Sequence, residues 1–392
     1  MDLVILNVRL IDGTGAGPVP RVSIEVRNGA ISWIGGETAR PRRHVHQEDI
    51  NGDGLTLIPG MIDCHEHFTG DGGMDSMERL LNDTQEVFTL KAAGNCRRAL
   101  MSGVTSARDV GARFGINILI ARETAAGAIP GPRIIASGEW LQFPGTWPPG
   151  LTRRTETPEE LLIAIREQID RGAGLIKVGA TGFRPNGEQF ASLGPEALDV
   201  AVRAAHEAGL KIAAHCHGFE GSRQAVEAGI DSIEHGTYVD EDTVRLMAHK
   251  GTYLVPTMST WDTRLRLADQ LGMSRGQISD TLDRKENSIA SFVRALRAGV
   301  KIAAGTDAGG SPARHGFIAR EIELMVDAGM SPKVALESAT RVAAELLDIH
   351  DQVGTIEVGK QADMVLIDGD PHSDPGALRN IWAVFQGGRR IR

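Results

Sequence analysis

Short apolar runs alternate with longer amphipathic stretches over most of the chain, and this alternation defines its elements. Runs at 56–62, 104–108, 133–137, 175–178, 211–215, 232–235, 253–256 and 300–305 have the length and composition of buried strands, eight in all. Between them, 84–101, 158–171, 195–208, 240–249, 281–298 and 316–328 carry helical periodicity. Thr157-Pro158-Glu159-Glu160 is a helix start: the Thr caps, Pro suits the first helical position, and the acids suit the positive end of the dipole. Several of these helices end in Ala-Gly or Lys-Gly just before the next strand. The repeat predicts an α/β fold, a (β/α)8 TIM barrel.

The two ends of the chain follow another pattern. Residues 3–10, 22–27 and 30–34 read as short strands, the last two joined by Asn28-Gly29, a hairpin turn whose residues both tolerate positive φ. A helix is expected over 331–347, after which 354–367 returns to strands and turns. Both termini are β-rich, so they are expected to pair into one small β-sandwich domain, residues 1–56 with 350–392, beside a barrel over 57–349. A doubly wound sheet is the competing fold. Against it, no Gly-x-Gly-x-x-Gly turn follows the first strand and there is no Gly-x-x-x-x-Gly-Lys phosphate loop.

Composition narrows the function classes. The 392 residues suffice for one large and one small domain, and 24% charged with 41% hydrophobic residues is ordinary for a globular protein. A formal net charge of -9 argues against a nucleic-acid partner. Cys64, Cys96 and Cys216 are too few and too scattered for a disulfide framework or a thiolate metal site, which fits a reducing cytoplasm. Residues 1–12 alternate like a strand rather than forming a signal peptide, and no apolar run reaches the ~18 residues of a membrane span. The expectation is a cytoplasmic protein with no membrane partner.

The candidate chemistry begins in Ile58-Pro-Gly-Met-Ile-Asp-Cys-His-Glu-His-Phe68. A spacing of two on an extended strand puts His65 and His67 on one face, where both imidazoles can bind one ion. Alone, the pair is equally a half-buried strand with hydrogen-bonded histidines. In a barrel, however, strand C-terminal ends converge over one mouth. His65 and His67 end the first expected strand, Lys177 lies in the fourth, His215 and His217 end the fifth, His235 the sixth and Asp307 the eighth, so five of the 12 histidines fall at these positions.

Taken together, these motifs resemble the amidohydrolase superfamily of metal-dependent hydrolases. The resemblance covers nearly the whole chain: Pro59-Gly60-Met61-Ile62-Asp63-x-His65-x-His67, the strand-four Lys177, the later strand-end histidines, Gly305-Thr306-Asp307 and the return at 354–366. Ala214-His215-Cys216-His217-Gly218 and Ile233-Glu234-His235-Gly236-Thr237-Tyr238 are similar to the branch holding imidazolonepropionases, prolidases and other metal-dependent dipeptidases. The resemblance implies two divalent ions. His65, His67 and Asp307 would hold the first, His215 and His235 the second, and an N-carboxylated Lys177 would bridge them. Zinc is the default for imidazole and carboxylate ligands, with manganese, iron or cobalt also compatible. It also implies hydrolysis of an amide (C–N) bond by a metal-bridging hydroxide, with Asp307 as general base and then acid.

The substrate features are less defined. His217 is expected to contact substrate or support a ligand, or else to be a structural histidine. Tyr238 is a candidate for contact with a substrate carboxylate or carbonyl, against a packing role. The aromatic, proline-rich 138–150 loop lacks the histidine found in dipeptidase-like relatives, and its Trp140 and Trp147 are candidates to line an apolar or planar pocket. Asp109, Arg314 and His315 are weaker candidates, better suited to loop roles. Segment 258–280 is a candidate lid or oligomer contact, in which Arg264 and Arg266 attract an anionic group or form a solvated face. The expected function is hydrolysis of a small N-acyl amino acid, dipeptide or cyclic amide by a homo-oligomeric enzyme. The alternatives are a heterocycle deaminase of the same superfamily and a non-catalytic relative that kept the barrel.

Overall fold

The structure is a computed structural model and describes residues 2–36, 47–73, 79, 81–143, 152–183 and 189–392. Trp147, with the 144–150 part of its loop, lies outside the described residues. The chain divides into two compact units: Met1–Asp63 with Arg97–Ser106 and Gly316–Arg392, and Cys64–Cys96 with Ala107–His315.

The first unit contains an eight-stranded sheet drawn from both termini, in the order Arg389–Arg390, Ile381–Gln386, Met364–Ile367, Thr56–Pro59, Asp2–Leu10, Val19–Arg27, Ala30–Gly36, with Gln47–Asn51 also paired to Asp2–Leu10. Met364–Ile367 runs antiparallel to Thr56–Pro59, with Leu366 opposite Leu57. Alternate residues of these strands, among them Ile5, Ile24, Val26, Leu57, Met364 and Phe385, form one buried apolar cluster. The hairpin turn takes the expected form, with Asn28 at φ 50° and Gly29 at φ 84°. The helix expected over 331–347 is instead two, Pro332–Ser338 and Arg341–Leu346. The break has a cause: Ile62 N–H donates to Ala339 O at 2.7 Å, and Thr340 leaves helical geometry at φ -135°, ψ -97°.

The second unit closes a ring of strand segments. Val110 N–H bonds Glu66 O, Ser137 N–H bonds Asp109 O, and Gly174 N–H bonds Ala136 O. Leu175–Gly179 then pairs in parallel with Lys211–Cys216, that strand with Ser232–His235, and that with Tyr253–Val255. The eighth position differs from expectation, since 300–305 forms no continuous strand. It is held by the bridges Leu254–Ile302 and Glu66–Ala308, with Ala303 N–H on Leu254 O and Cys64 N–H on Ala304 O completing the ring. The chain is tightly wedged there, because a Cβ on Gly305 would lie 2.5 Å from Val255 Cγ1 and 2.8 Å from His65 Cβ. Helices connect the strands. Pro158–Asp170 is capped by Thr157, whose hydroxyl accepts Glu160 N–H at 3.2 Å. Arg275–Ala298 starts earlier than its apolar pattern, because Ser274 and Gln277 form a capping box. The fold is a TIM barrel with an accessory domain, as the pattern predicts.

Candidate metal centre

The strand ends of the second unit gather two sets of potential ligands. The donor atoms of His65, His67 and Asp307 lie within 4.8 Å of one another, and so do those of His215, His217 and His235. All six residues are buried. In the first set, Asp307 Oδ1 is 3.6 Å from His65 Nε2 and 3.5 Å from His67 Nε2. In the second, the His217 and His235 rings stack at 4.6 Å, and His215 meets each of them edge-on, at 4.6 and 4.7 Å. The His65 and His235 rings are 4.9 Å apart, so the two sets adjoin.

The backbone places these side chains at some conformational cost. His235 sits at φ 70° and Asp307 at φ 56°, left-handed conformations that non-glycine residues seldom adopt. Successive strand residues face opposite sides, so a left-handed turn at the strand end lets Glu234 and His235 both serve the centre. Such strain concentrates where function holds it.

Four of the five histidines are oriented through Nδ1. His65 Nδ1 is 2.7 Å from Glu234 Oε2, and His67 Nδ1 is 2.7 Å from Gly111 O. His217 Nδ1 is 2.7 Å from Thr237 Oγ1, and His235 Nδ1 is 2.7 Å from Thr257 Oγ1. This arrangement turns Nε2 toward the centre, as metal-binding imidazoles require. Burial keeps the rings neutral: it lowers His67 to about 4 and His217 to about 3, and holds His65, His215 and His235 well below the usual imidazole range. Neutral imidazole is the ligating form. Asp307 Oδ2 accepts from the Thr260 hydroxyl at 3.2 Å.

Lys177 is 1% exposed, and its Nζ makes no hydrogen bond. Burial lowers it to about 8, with Glu234 opposing and Arg108 adding to the shift. Its charge acts on histidines of both sets. His215 Nε2 is likewise buried without a hydrogen-bond partner. Unpaired buried polar atoms are costly, and a bound ion is one way to satisfy them. Two convergent donor sets and these two atoms fit a pair of divalent ions.

The other sequence candidates are distributed unevenly. The Trp140 ring packs 4.6 Å from His215 and 5.6 Å from Lys177 Nζ. The Tyr238 hydroxyl donates to Asp283 Oδ2 at 2.7 Å; burial first and Asp283 second push its pKa up. Tyr238 also lines a cavity of about 430 Å³ with Gln189, Phe190, Phe219 and Arg284. Asp109 accepts from Phe68 N–H, Gly111 N–H and Asn117 Nδ2, so it shapes the loop after the first strand, and burial raises it to about 6. His315 engages Glu66 Oε2 at 2.6 Å and Gly70 O at 2.7 Å, using both ring nitrogens. Arg314 is exposed, and Arg264 is half-buried. Arg266 pairs at 3.8 Å with Asp262.

Sequence reasoning missed the residues behind the candidate ligands: Arg108, Glu234, Thr237, Thr257 and Thr260. Glu234 stands beside His235 in a motif already singled out, and a carboxylate inside an apolar strand was the available signal.

The architecture is that of a TIM-barrel enzyme with imidazole and carboxylate groups converging at its strand ends. A profile described as the amidohydrolase family matches residues 56–391, and the chain belongs to that family, as a hydrolase. It is 30% identical to an ochratoxinase of Aspergillus niger over 413 aligned residues, covering 95% of this chain and 84% of the relative. The structure of a Xaa-Pro dipeptidase with bound methionine superposes with a TM-score of 0.89 at 29% identity, covering 100% of this chain and 99% of the other. A prolidase complexed with N-methylphosphonate-L-proline gives 0.90 at 26% identity, with 100% of both chains covered.

Proposed function

We propose that this amidohydrolase cleaves an amide bond of a small substrate, such as an N-acyl amino acid, a dipeptide or a cyclic amide, with the help of two divalent ions. The observation that carries the reading is the pair of adjoining donor sets with a buried lysine acting on both. In this reading His65, His67 and Asp307 hold one ion, and His215 and His235 the other. Zinc is the first choice, for its affinity for imidazole and carboxylate. Lys177, lowered to about 8, exists partly as the free amine near neutral pH, the form that takes up carbon dioxide. As a carbamate it would offer a carboxylate in place of an ammonium, a group able to bind divalent ions. His217, third of its set, serves either the second ion or the substrate carbonyl; metal loss on substitution assigns it to the former, a raised KM to the latter.

When bound, the ions supply a lowered pKa for water and a polarised substrate carbonyl. The protein supplies the proton path. Asp307 takes the proton of the attacking water, and the Thr260 hydroxyl on Oδ2 fixes the carboxylate plane for this step. Asp307 then returns the proton to the departing nitrogen. Trp140 and the cavity lined by Phe190, Phe219 and Tyr238 suit an apolar or planar substrate group. Trp147 is assigned to the same pocket on its sequence position.

No helix among the described residues is long and apolar enough to cross a membrane. The reading includes a cytoplasmic homo-oligomer with a barrel over 57–349 and a small domain from 1–56 and 350–392. The test is turnover by zinc-loaded protein on a panel of N-acyl amino acids, Xaa-Pro dipeptides, cyclic amides and heterocyclic amines. Cleavage within the amide classes is expected. Ammonia release from heterocycles with every amide left intact would overturn the reading.

A further inference from the structure

We propose that Arg108 and Glu234 form a positioning pair that sets the tautomer of His65 and, through it, the hold of the first donor set on its ion. The inference rests on the two-metal reading of the site. Glu234 is fully buried; its Oε2 is 2.7 Å from His65 Nδ1, and its Oε1 accepts from Arg108 Nη2 at 2.6 Å and the Ser232 hydroxyl at 2.6 Å. Arg108 also donates from Nε to Cys64 O at 2.6 Å and from Nη1 to Ser232 Oγ at 3.0 Å. One guanidinium therefore grips the backbone next to His65 and the carboxylate behind its ring.

The pair is out of proportion to a structural need. A buried ion pair costs several kcal/mol in desolvation and is weak evidence for stability. Its placement supplies the reason. An ionised carboxylate only accepts, so His65 Nδ1 must carry the proton, and Nε2 presents its lone pair to the centre. The Nδ1 atoms of the other oriented histidines in the centre lean on neutral groups. His67 faces the Gly111 carbonyl, and His217 and His235 face threonine hydroxyls, which can donate or accept. His65 is thus backed by an ionised carboxylate, held in place by Arg108, which raises the basicity of the ring toward a cation.

Glu234→Gln is nearly isosteric and breaks this logic. Donors converge on Glu234 from His65, Arg108 and Ser232, and the amide would bring an N–H face against one of them. Turned toward His65, it requires Nδ1 to accept, which moves the proton to Nε2, the ligating atom.

The experiment reads the tautomer and metal binding separately. In metal-free wild-type protein with 15N-labelled histidine, His65 is expected as the Nδ1–H tautomer. In Glu234→Gln it is expected to shift toward Nε2–H. Zinc titration against a competing chelator should then show one of two ions bound about 10- to 100-fold more weakly in the variant. Ser232→Ala, which leaves the charge pair intact, should stay within about threefold of wild type, below that 10- to 100-fold window. Finding His65 as Nε2–H in the wild type, or both ions held by Glu234→Gln as tightly as by the wild type, overturns the proposal. If wild-type protein binds no zinc, the two-metal reading fails, and the tautomer measurement still decides whether Arg108 and Glu234 position the ring.

Discussion

The two donor sets are built largely from the same side chain and are supported in different ways. The first contains a carboxylate, Asp307, and has the Arg108–Glu234 pair behind His65. The second is all imidazole, with threonine hydroxyls behind His217 and His235 and indole rings against His215 and His217, at 4.6 and 5.6 Å. A cation in the first set meets negative charge directly. A cation in the second depends for its nearest anionic ligand on what becomes of Lys177. The lesson is that equal geometry does not mean equal affinity: the second ion should be the weaker and the more dependent on the lysine.

Lys177→Ala is the strongest way to break this asymmetry. It should lower kcat/KM by about 10³-fold or more, the scale of losing preorganised charge stabilisation, while metal analysis shows the second ion lost first. Preferential loss of the first would invert the assignment. Next, Asp307→Asn should lower kcat by about 10²- to 10⁴-fold, the range for a general acid–base, with the thermal midpoint little changed. Retained turnover would remove Asp307 from proton transfer.

A pH series sharpens the burial argument. His67 is held at about 4 when folded, against 6.5 when unfolded, so between these values the unfolded chain binds more protons. Its contribution to metal-free stability is therefore full above about pH 6.5 and is lost as pH falls toward 4, on the order of 3 kcal/mol. Urea denaturation across this window checks the sign; a flat profile would mean that the ring is not buried neutral. The smallest effect is expected from Thr257→Val, which removes the hydroxyl behind His235 and should weaken only the second ion, by about tenfold.

Much of the centre is legible in the sequence because a barrel converts position along the chain into position in space. His65, His67, Lys177, His215, His235 and Asp307 each stand at or near an apolar run's C-terminal end, and the fold brings those ends together. The support behind them is not legible in the same way. Arg108 meets Glu234 across 126 residues, and Thr257 meets His235 across 22, with no periodicity to announce either contact. The apolar run at 300–305 predicts a continuous eighth strand, but tight packing around Gly305 leaves bridges instead of a continuous ladder. His217 was marked by its spacing, but the set it joins depends on ring orientation, which a sequence does not encode directly.

The most direct test of the central claim is the number of metal equivalents per chain in protein purified with bicarbonate and zinc, measured beside Lys177→Ala. The account predicts two in the wild type, with a carbamate on Lys177 detectable by 13C-bicarbonate labelling, and fewer in the variant. A single equivalent in both, with Lys177 unmodified, would contradict it.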